Sequence, residues 1–133
     1  MHSLTITEKL FALKVIEPFS TLTTDILMNL CSVSPLLTYE ANQTIIESDS
    51  ISDGIFVLVK GAFVTTKDAN YKIIGANSVL YNEKYDESIV ACPTQGAVCF
   101  RITKGHFLTL IYECPFFLTE LLQLNHSFHK YCI

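Results

Sequence analysis

The stretch YEANQTIIESDSISDGIFVLVKGAFVTT, residues 39–66, decides how the chain folds. Ile55–Val59 is apolar at every position, so both faces of that strand are expected to be covered. Around it, ANQ (41–43), DSISD (49–53) and Gly61 carry turn chemistry. Apolar residues alternate through LLTYE (36–40), TIIES (44–48), AFVTTK (62–67) and YKIIG (71–75), which all read as strands. DAN (68–70) is expected to be a turn. SIVAC (88–92) and AVCFRIT (97–103) add two more strands around the turn PTQG.

Helical signals lie on both sides of this block. Thr5 and Glu8 stand at capping-box spacing, ahead of Leu10, Phe11 and Leu13, and Pro18 stops the pattern. Thr23 is an N-cap candidate for TTDILMNLCSV, where Asp25 suits the positive end of the helix and Ile26, Leu27 and Leu30 face inward. Thr103 caps KGHFLTLIYE, and Pro115 fits the first turn of PFFLTELLQLNHSFHKY. Phe117, Leu118, Leu121, Leu122 and Phe128 form the apolar face of that last helix. The expected layout is one α+β domain over 1–133: helices in 5–31, an antiparallel eight-stranded roll over 36–103, and C-terminal helices in 104–131.

Bulk properties exclude several functions. The chain has 133 residues, half of them hydrophobic, a formal net charge of −4 and one arginine, Arg101. It lacks the basic footprint of a nucleic-acid binder. No stretch reaches the roughly 18–20 apolar residues of a membrane span, and no basic-then-apolar leader opens the chain. Five cysteines with no C-x-x-C spacing read as free thiols. A cytoplasmic protein, or one on the cytosolic face of a membrane protein, is expected.

Tyr39, Thr44, Ile45, Asp53, the Ile55–Val59 strand and Gly61, in this order and between helix pairs, resemble the cyclic nucleotide-binding domain. Asn42 stands where that family usually has glycine, and asparagine tolerates the same left-handed turn. FRITKGHFLTLIYECPFFLTELL is similar to the family's last strand and hinge helix. The resemblance covers roughly Leu10 to Leu124 and implies an eight-stranded jelly roll with a C-terminal hinge helix. It also implies a phosphate-binding loop after the sixth strand. In the family that loop runs glycine, glutamate, a short helix, then arginine, serine or threonine, and alanine.

GANSVLYNEKYDESIV, residues 75–90, departs from that pattern. Alignment from both sides sets Tyr81 and Asn82 at the family's Gly-Glu, and Glu87, Ser88 and Ile89 at its Arg-Ser-Ala. The shortened interval predicts that the short helix does not form. Lys84 is the one basic residue between Lys72 and Arg101, and a carboxylate replaces the phosphate's partner. Such a loss costs ~2–5 kcal/mol for the unpaired partner alone, and each ~1.4 kcal/mol is tenfold in affinity. The vestigial pocket is placed at Val79, Leu80, Tyr81, Asn82, Glu83, Glu87 and Ser88.

The expected function is a non-enzymatic regulatory or docking module that has lost cAMP and cGMP binding and contacts a protein partner or the remainder of a larger chain. The contact residues are expected at Phe116, Phe117, Leu121 and Phe128, with a homodimer through the last helix as one form of it. A second expectation is a sensor for a cyclic nucleotide or other metabolite, with Tyr81, Tyr85, Glu83 and Glu87 around a remodelled pocket. A third context is a soluble tail on a membrane transporter of the ATP/ADP translocase type, which EKLFALKVIEPFSTL resembles. His126, His129 and Cys132 have ligand-like spacing but read as a solvated helix end, so neither a metal nor a cofactor is expected. Cys99 and Cys114 with His106 lack any group to orient a nucleophile–base pair.

Overall fold

A computed structural model describes residues 5–65, 69–128 and 132–133. Two helices open it, α1 (Ile6–Lys14) and α2 (Thr24–Val33), joined through a short 3₁₀ turn at Phe19–Thr21. The Thr5 hydroxyl accepts from the Glu8 amide while Glu8 reaches back to the Thr5 amide, completing the capping box. The Thr23 and Thr103 hydroxyls accept from the amides of Ile26 and His106 in the same way.

Among the described residues eight strands follow: β1 (Leu36–Tyr39), β2 (Thr44–Ile46), β3 (Gly54–Gly61), β4 (Phe63–Val64), β5 (Ala69–Tyr71), β6 (Ile73–Ile74), β7 (Ile89–Ala91) and β8 (Ala97–Thr103). They form two four-stranded sheets in the orders β1-β8-β3-β6 and β2-β7-β4-β5, and every described pairing between them is antiparallel. Among the described residues no strand pairing joins the sheets into one closed barrel. The helix α3 (Ala76–Tyr81) lies between β6 and β7, and α4 (Lys104–Glu113) and α5 (Pro115–Phe128) end the fold.

The sequence YKIIG does not make one strand. Ala69–Tyr71 pairs with β4 in one sheet and Ile73–Ile74 with β3 in the other. The chain changes sheets at Lys72, whose carbonyl accepts from the Leu58 amide at 2.8 Å. Ala69 and Asn70, expected in a turn, are therefore strand residues.

The apolar run of β3 is explained by its two coverings. Ile55 and Val57 point into a cluster with the helices, where Leu13, Phe19, Leu27, Phe107 and Phe117 are buried. Phe56 and Leu58 point between the sheets, against Phe63, Ile74, Ile89 and Cys99. β8 divides likewise, Phe100 and Ile102 toward the helices and Ala97 and Cys99 toward the second sheet. A strand covered on both faces has no polar side, hence no alternation in its sequence.

On α5, Phe117 and Leu121 are buried, and the Phe117 ring meets Phe19 edge-on at a centroid distance of 5.0 Å. Leu122, expected on the same inward face, is exposed, as is Phe11 on α1. No single helix among the described residues is long and apolar enough to cross a membrane.

Candidate functional site

The site is built from the turn out of β6. Gly75 has φ of 96°, a left-handed conformation that glycine adopts without a Cβ penalty. A Cβ there would run into the Gly54 carbonyl oxygen. This turn starts α3 at Ala76, and the left-handed Asn82 closes it, its amide donating to the Ser78 carbonyl at 2.9 Å. The Ser78 hydroxyl donates to the Glu83 carbonyl at 2.7 Å. A short helix thus forms after all. It begins at Gly75-Ala76, six residues ahead of the Tyr81-Asn82 anchor that the sequence suggested. The position after the glycine is Ala76, so it supplies no carboxylate.

The loop after α3 is fastened to residues 48–50. The Tyr85 amide donates to Ser50 O at 3.0 Å and the Ser48 amide to the Ser88 hydroxyl at 3.0 Å. The Asp49 amide donates back to the Tyr85 carbonyl. Lys84 approaches Asp49 at 3.9 Å, with both side chains mostly in water, so this pair contributes ~0–1 kcal/mol. The Tyr85 ring is buried between the sheets. Its hydroxyl accepts from the Gly75 amide at 2.8 Å and donates to the Ile133 carbonyl. Burial is the main reason the phenol pKa is raised.

These elements enclose a cleft of about 340 Å³, lined by Thr65, Tyr71, Asn77, Glu83, Lys84, Tyr85, Asp86, Glu87, Ile89 and Ile133. A shallower groove of about 480 Å³ continues past Ser48, Val64, Ser88 and Val90, sharing Thr65, Asp86 and Glu87. The volume suits a small organic ligand. Among the described residues, the charged side chains that line it are the carboxylates of Glu83, Asp86 and Glu87 and the ammonium of Lys84. Arg101 lies elsewhere, its guanidinium 2.8 Å from the Asp53 carboxylate.

The seven residues expected at the pocket are placed in three environments. Glu83, Glu87 and Ser88 line the cleft or its groove. Val79 and Leu80 pack into the cluster beneath the helices. Tyr81 and Asn82 are exposed on the outer side of α3. Sequence reasoning passed over Asn77 and Ile133, which also line the cleft. The glycine before Asn77 was the available signal. Nothing local marks Ile133, whose role depends on contacts many residues away.

Of the four residues expected to meet a partner, Phe117 and Leu121 face the protein's own core, and Phe116 is half exposed. The side chain of Phe128 lies outside the described residues, as does His129. No cluster of three potential metal ligands occurs among the described residues. The Cys99 thiol is pushed up to about 12 by burial, unsuited to a nucleophile. His106 has Nδ1 3.0 Å from the Thr103 hydroxyl at the start of α4.

No family model matches the chain, and no curated protein matches it. Solved structures do. The regulatory subunit of a cAMP-independent protein kinase A from Trypanosoma brucei, as a triple mutant bound to cAMP in the A site, superposes with a TM-score of 0.67 at 14% identity over 80% of this chain and 42% of that one. A mutant of the cAMP-binding acyltransferase from Mycobacterium smegmatis gives 0.70 at 16% over 92% and 40%. The sensor domain of the transcriptional regulator DNR from Pseudomonas aeruginosa gives 0.68 at 15% over 90% and 87%. The chain thus spans about two fifths of the first two of these proteins and nearly all of the third. At such identities the likeness bears on architecture, and the chain has the fold of a cyclic nucleotide-binding domain.

Proposed function

We propose that this chain is a non-enzymatic regulatory or docking module, built as an eight-stranded roll of the cyclic nucleotide-binding type that no longer takes cAMP or cGMP. One observation carries the reading: among the described residues, the cleft beside α3 is lined by the acids Glu83, Asp86 and Glu87, with Lys84 as the one cation. Position 87, where the resemblance calls for arginine, holds glutamate. A cyclic phosphate entering there loses its charge-assisted partner and meets an opposing carboxylate. Arg101 does not substitute, because Asp53 holds it. The Trypanosoma brucei subunit offers a parallel, being described as cAMP-independent, while its cAMP-bound form carries three substitutions, one of them threonine to arginine.

The output surface is taken to be the C-terminal helix pair. Tyr112, Phe116 and Leu122 are exposed there, and we assign them to contact with a protein partner, the remainder of a larger chain or a second copy. A cytoplasmic setting fits, including a tail on the cytosolic face of a transporter of the ATP/ADP translocase type.

A second reading keeps ligand sensing and changes the ligand. The cleft volume of about 340 Å³ and its acid-and-tyrosine lining suit a neutral or cationic metabolite. Thermal unfolding with cAMP, cGMP or cyclic dinucleotides tests the first reading. A ligand at one hundred times its dissociation constant stabilises by ~2.7 kcal/mol. No shift with any of them at millimolar concentration is the expected result. A saturable shift with cAMP or cGMP, abolished by Tyr85→Ala, overturns it.

A further inference from the structure

We infer that Cys132 and Ile133 form a built-in strap across the base of the cleft, and that its release opens the cleft and frees the end of α5 in a single event. The strap is an observed occupant. The Ile133 carbonyl accepts from the Asn77 amide at 3.0 Å and from the Tyr85 hydroxyl. The Ile133 amide donates to the Ile73 carbonyl at 3.0 Å, and Cys132 bridges Ile73 in parallel. These two residues therefore cover the outer edge of β6, which ends its sheet. The Cys132 amide donates to the Asn125 side-chain oxygen on α5 at 3.1 Å.

The side chains support the same arrangement. Cys132 is 7% exposed within the cluster under the helices, and Ile133 packs against the cluster between the sheets while forming a wall of the cleft. Two adjacent residues thus touch both cores, β6, α3, the Tyr85 loop and α5. The Asn77 amide and the Tyr85 hydroxyl are the donors that a ligand carrying an acceptor would seek at this base, and Ile133 already holds both. Anything that takes them must displace the strap. Displacement breaks the Cys132–Asn125 bond as well, because residues 132 and 133 are contiguous. The cleft and the last helix therefore share one contact, and a ligand that binds only the released form shifts both together. This inference goes beyond the proposed loss of nucleotide binding and does not depend on it.

Thiol alkylation of the full chain, read cysteine by cysteine by mass spectrometry, tests it. Cys92 is partly exposed, and Cys31 and Cys99 are buried away from the strap, so they report the open and closed limits. In the wild type Cys132 is expected to react at least about tenfold more slowly than Cys92. Tyr85→Phe removes both hydroxyl bonds and is expected to raise Cys132 reactivity about tenfold or more, with Cys31 and Cys99 still protected. In amide exchange, Asn77, Cys132 and Ile133 are expected to accelerate by one common factor. Wild-type Cys132 as reactive as Cys92 overturns the inference, as does a Tyr85→Phe variant with unchanged protection, or acceleration of Asn77 alone. If Tyr85→Phe exposes all the cysteines, Asn125→Ala decides by the same criteria, since it cuts the strap from α5 and leaves the Tyr85 hydroxyl in place.

Discussion

The β3–β8 pair and the Gly75–Ser88 loop sit side by side and follow different rules. In the pair, Val57 lies opposite Phe100 and Ile55 opposite Ile102, with all four side chains fully buried. Many apolar sequences fill such a space, since volume and pattern decide. In the loop, Glu83, Lys84 and Asp86 reach water, and their signs determine what can enter the cleft. Architecture is therefore shared with the solved structures at 14–16% identity, because burial and pattern rather than particular residues fill the core. The fold is set by burial, and the electrostatics of the cleft by individual groups.

Core and loop substitutions should separate by several kcal/mol if this contrast holds. Phe100 is fully buried under the helices. Phe100→Ala is expected to cost ~3–5 kcal/mol in urea unfolding, against a typical total of ~5–15 kcal/mol for a domain. Glu83→Gln, on the loop, is expected to stay within about 0.5 kcal/mol. Equal effects at the two positions would dissolve the distinction.

The core also sets an alkaline limit. Burial pushes the thiols of Cys99 and Cys132 from 9.0 up to about 12. A raised folded pKa means that the unfolded chain gives up its proton first as pH rises. The stability these thiols contribute is intact below pH 9 and is lost as pH climbs through about 12. At ~1.4 kcal/mol for each pH unit of the shift, the loss is on the order of 3–4 kcal/mol per thiol. Cys99→Ala should remove its own share of this alkaline limb and leave those of Cys132 and the buried Tyr85 phenol, whose folded pKa is also raised. A limb that keeps its slope in Cys99→Ala would place the titration elsewhere.

Gly75 stands at the border between the two regions and tests how sharp it is. Its φ of 96° and the Gly54 carbonyl beside it exclude a side chain. Gly75→Ala is expected to cost ~1–3 kcal/mol. Much of that should appear as faster amide exchange in Asn77–Tyr81, with Val57 and Phe100 unchanged. Uniform loss of protection would mean that α3 belongs to the core unit.

The same division governs what could be read from the sequence. The caps at Thr5, Thr23 and Thr103 lie within three residues of their partners, and each is present in the structure. The unbroken Ile55–Val59 run announced a strand covered on both sides, because burial leaves a pattern along the chain itself. YKIIG looked like one strand because its break is a change of partner sheet at Lys72, not a turn residue. Gly75 looked like the end of that strand, so the anchor for the loop slid to Tyr81-Asn82 and hid α3. Tyr85 meets Ile133 across 48 residues, and no local pattern encodes that contact. The cleft's chemistry rests on pairings of this kind, which is why its acids were legible and its strap was not.

The smallest expected effect belongs to Arg101, the chain's one arginine. It sits on β8, inside the β3–β8 pair by backbone, yet its guanidinium reaches the exposed Asp53 carboxylate at 2.8 Å. By the core's rule this position matters, and by the loop's rule its charge is replaceable. The Asp53 side chain is 84% exposed, so water screens the attraction and the pair contributes ~0–1 kcal/mol. Asp53→Asn is therefore expected to lower stability by less than about 1 kcal/mol, and by less still as salt is raised toward 1 M, where the Debye length falls to about 3 Å. It also releases the guanidinium, so the cAMP and cGMP titrations should be repeated on this variant. Continued absence of a thermal shift is expected, since β8 carries Arg101 away from the cleft and Glu87 still faces it. A shift appearing only in Asp53→Asn would show that a single surface pair, and not the acids around Tyr85, keeps an anion out.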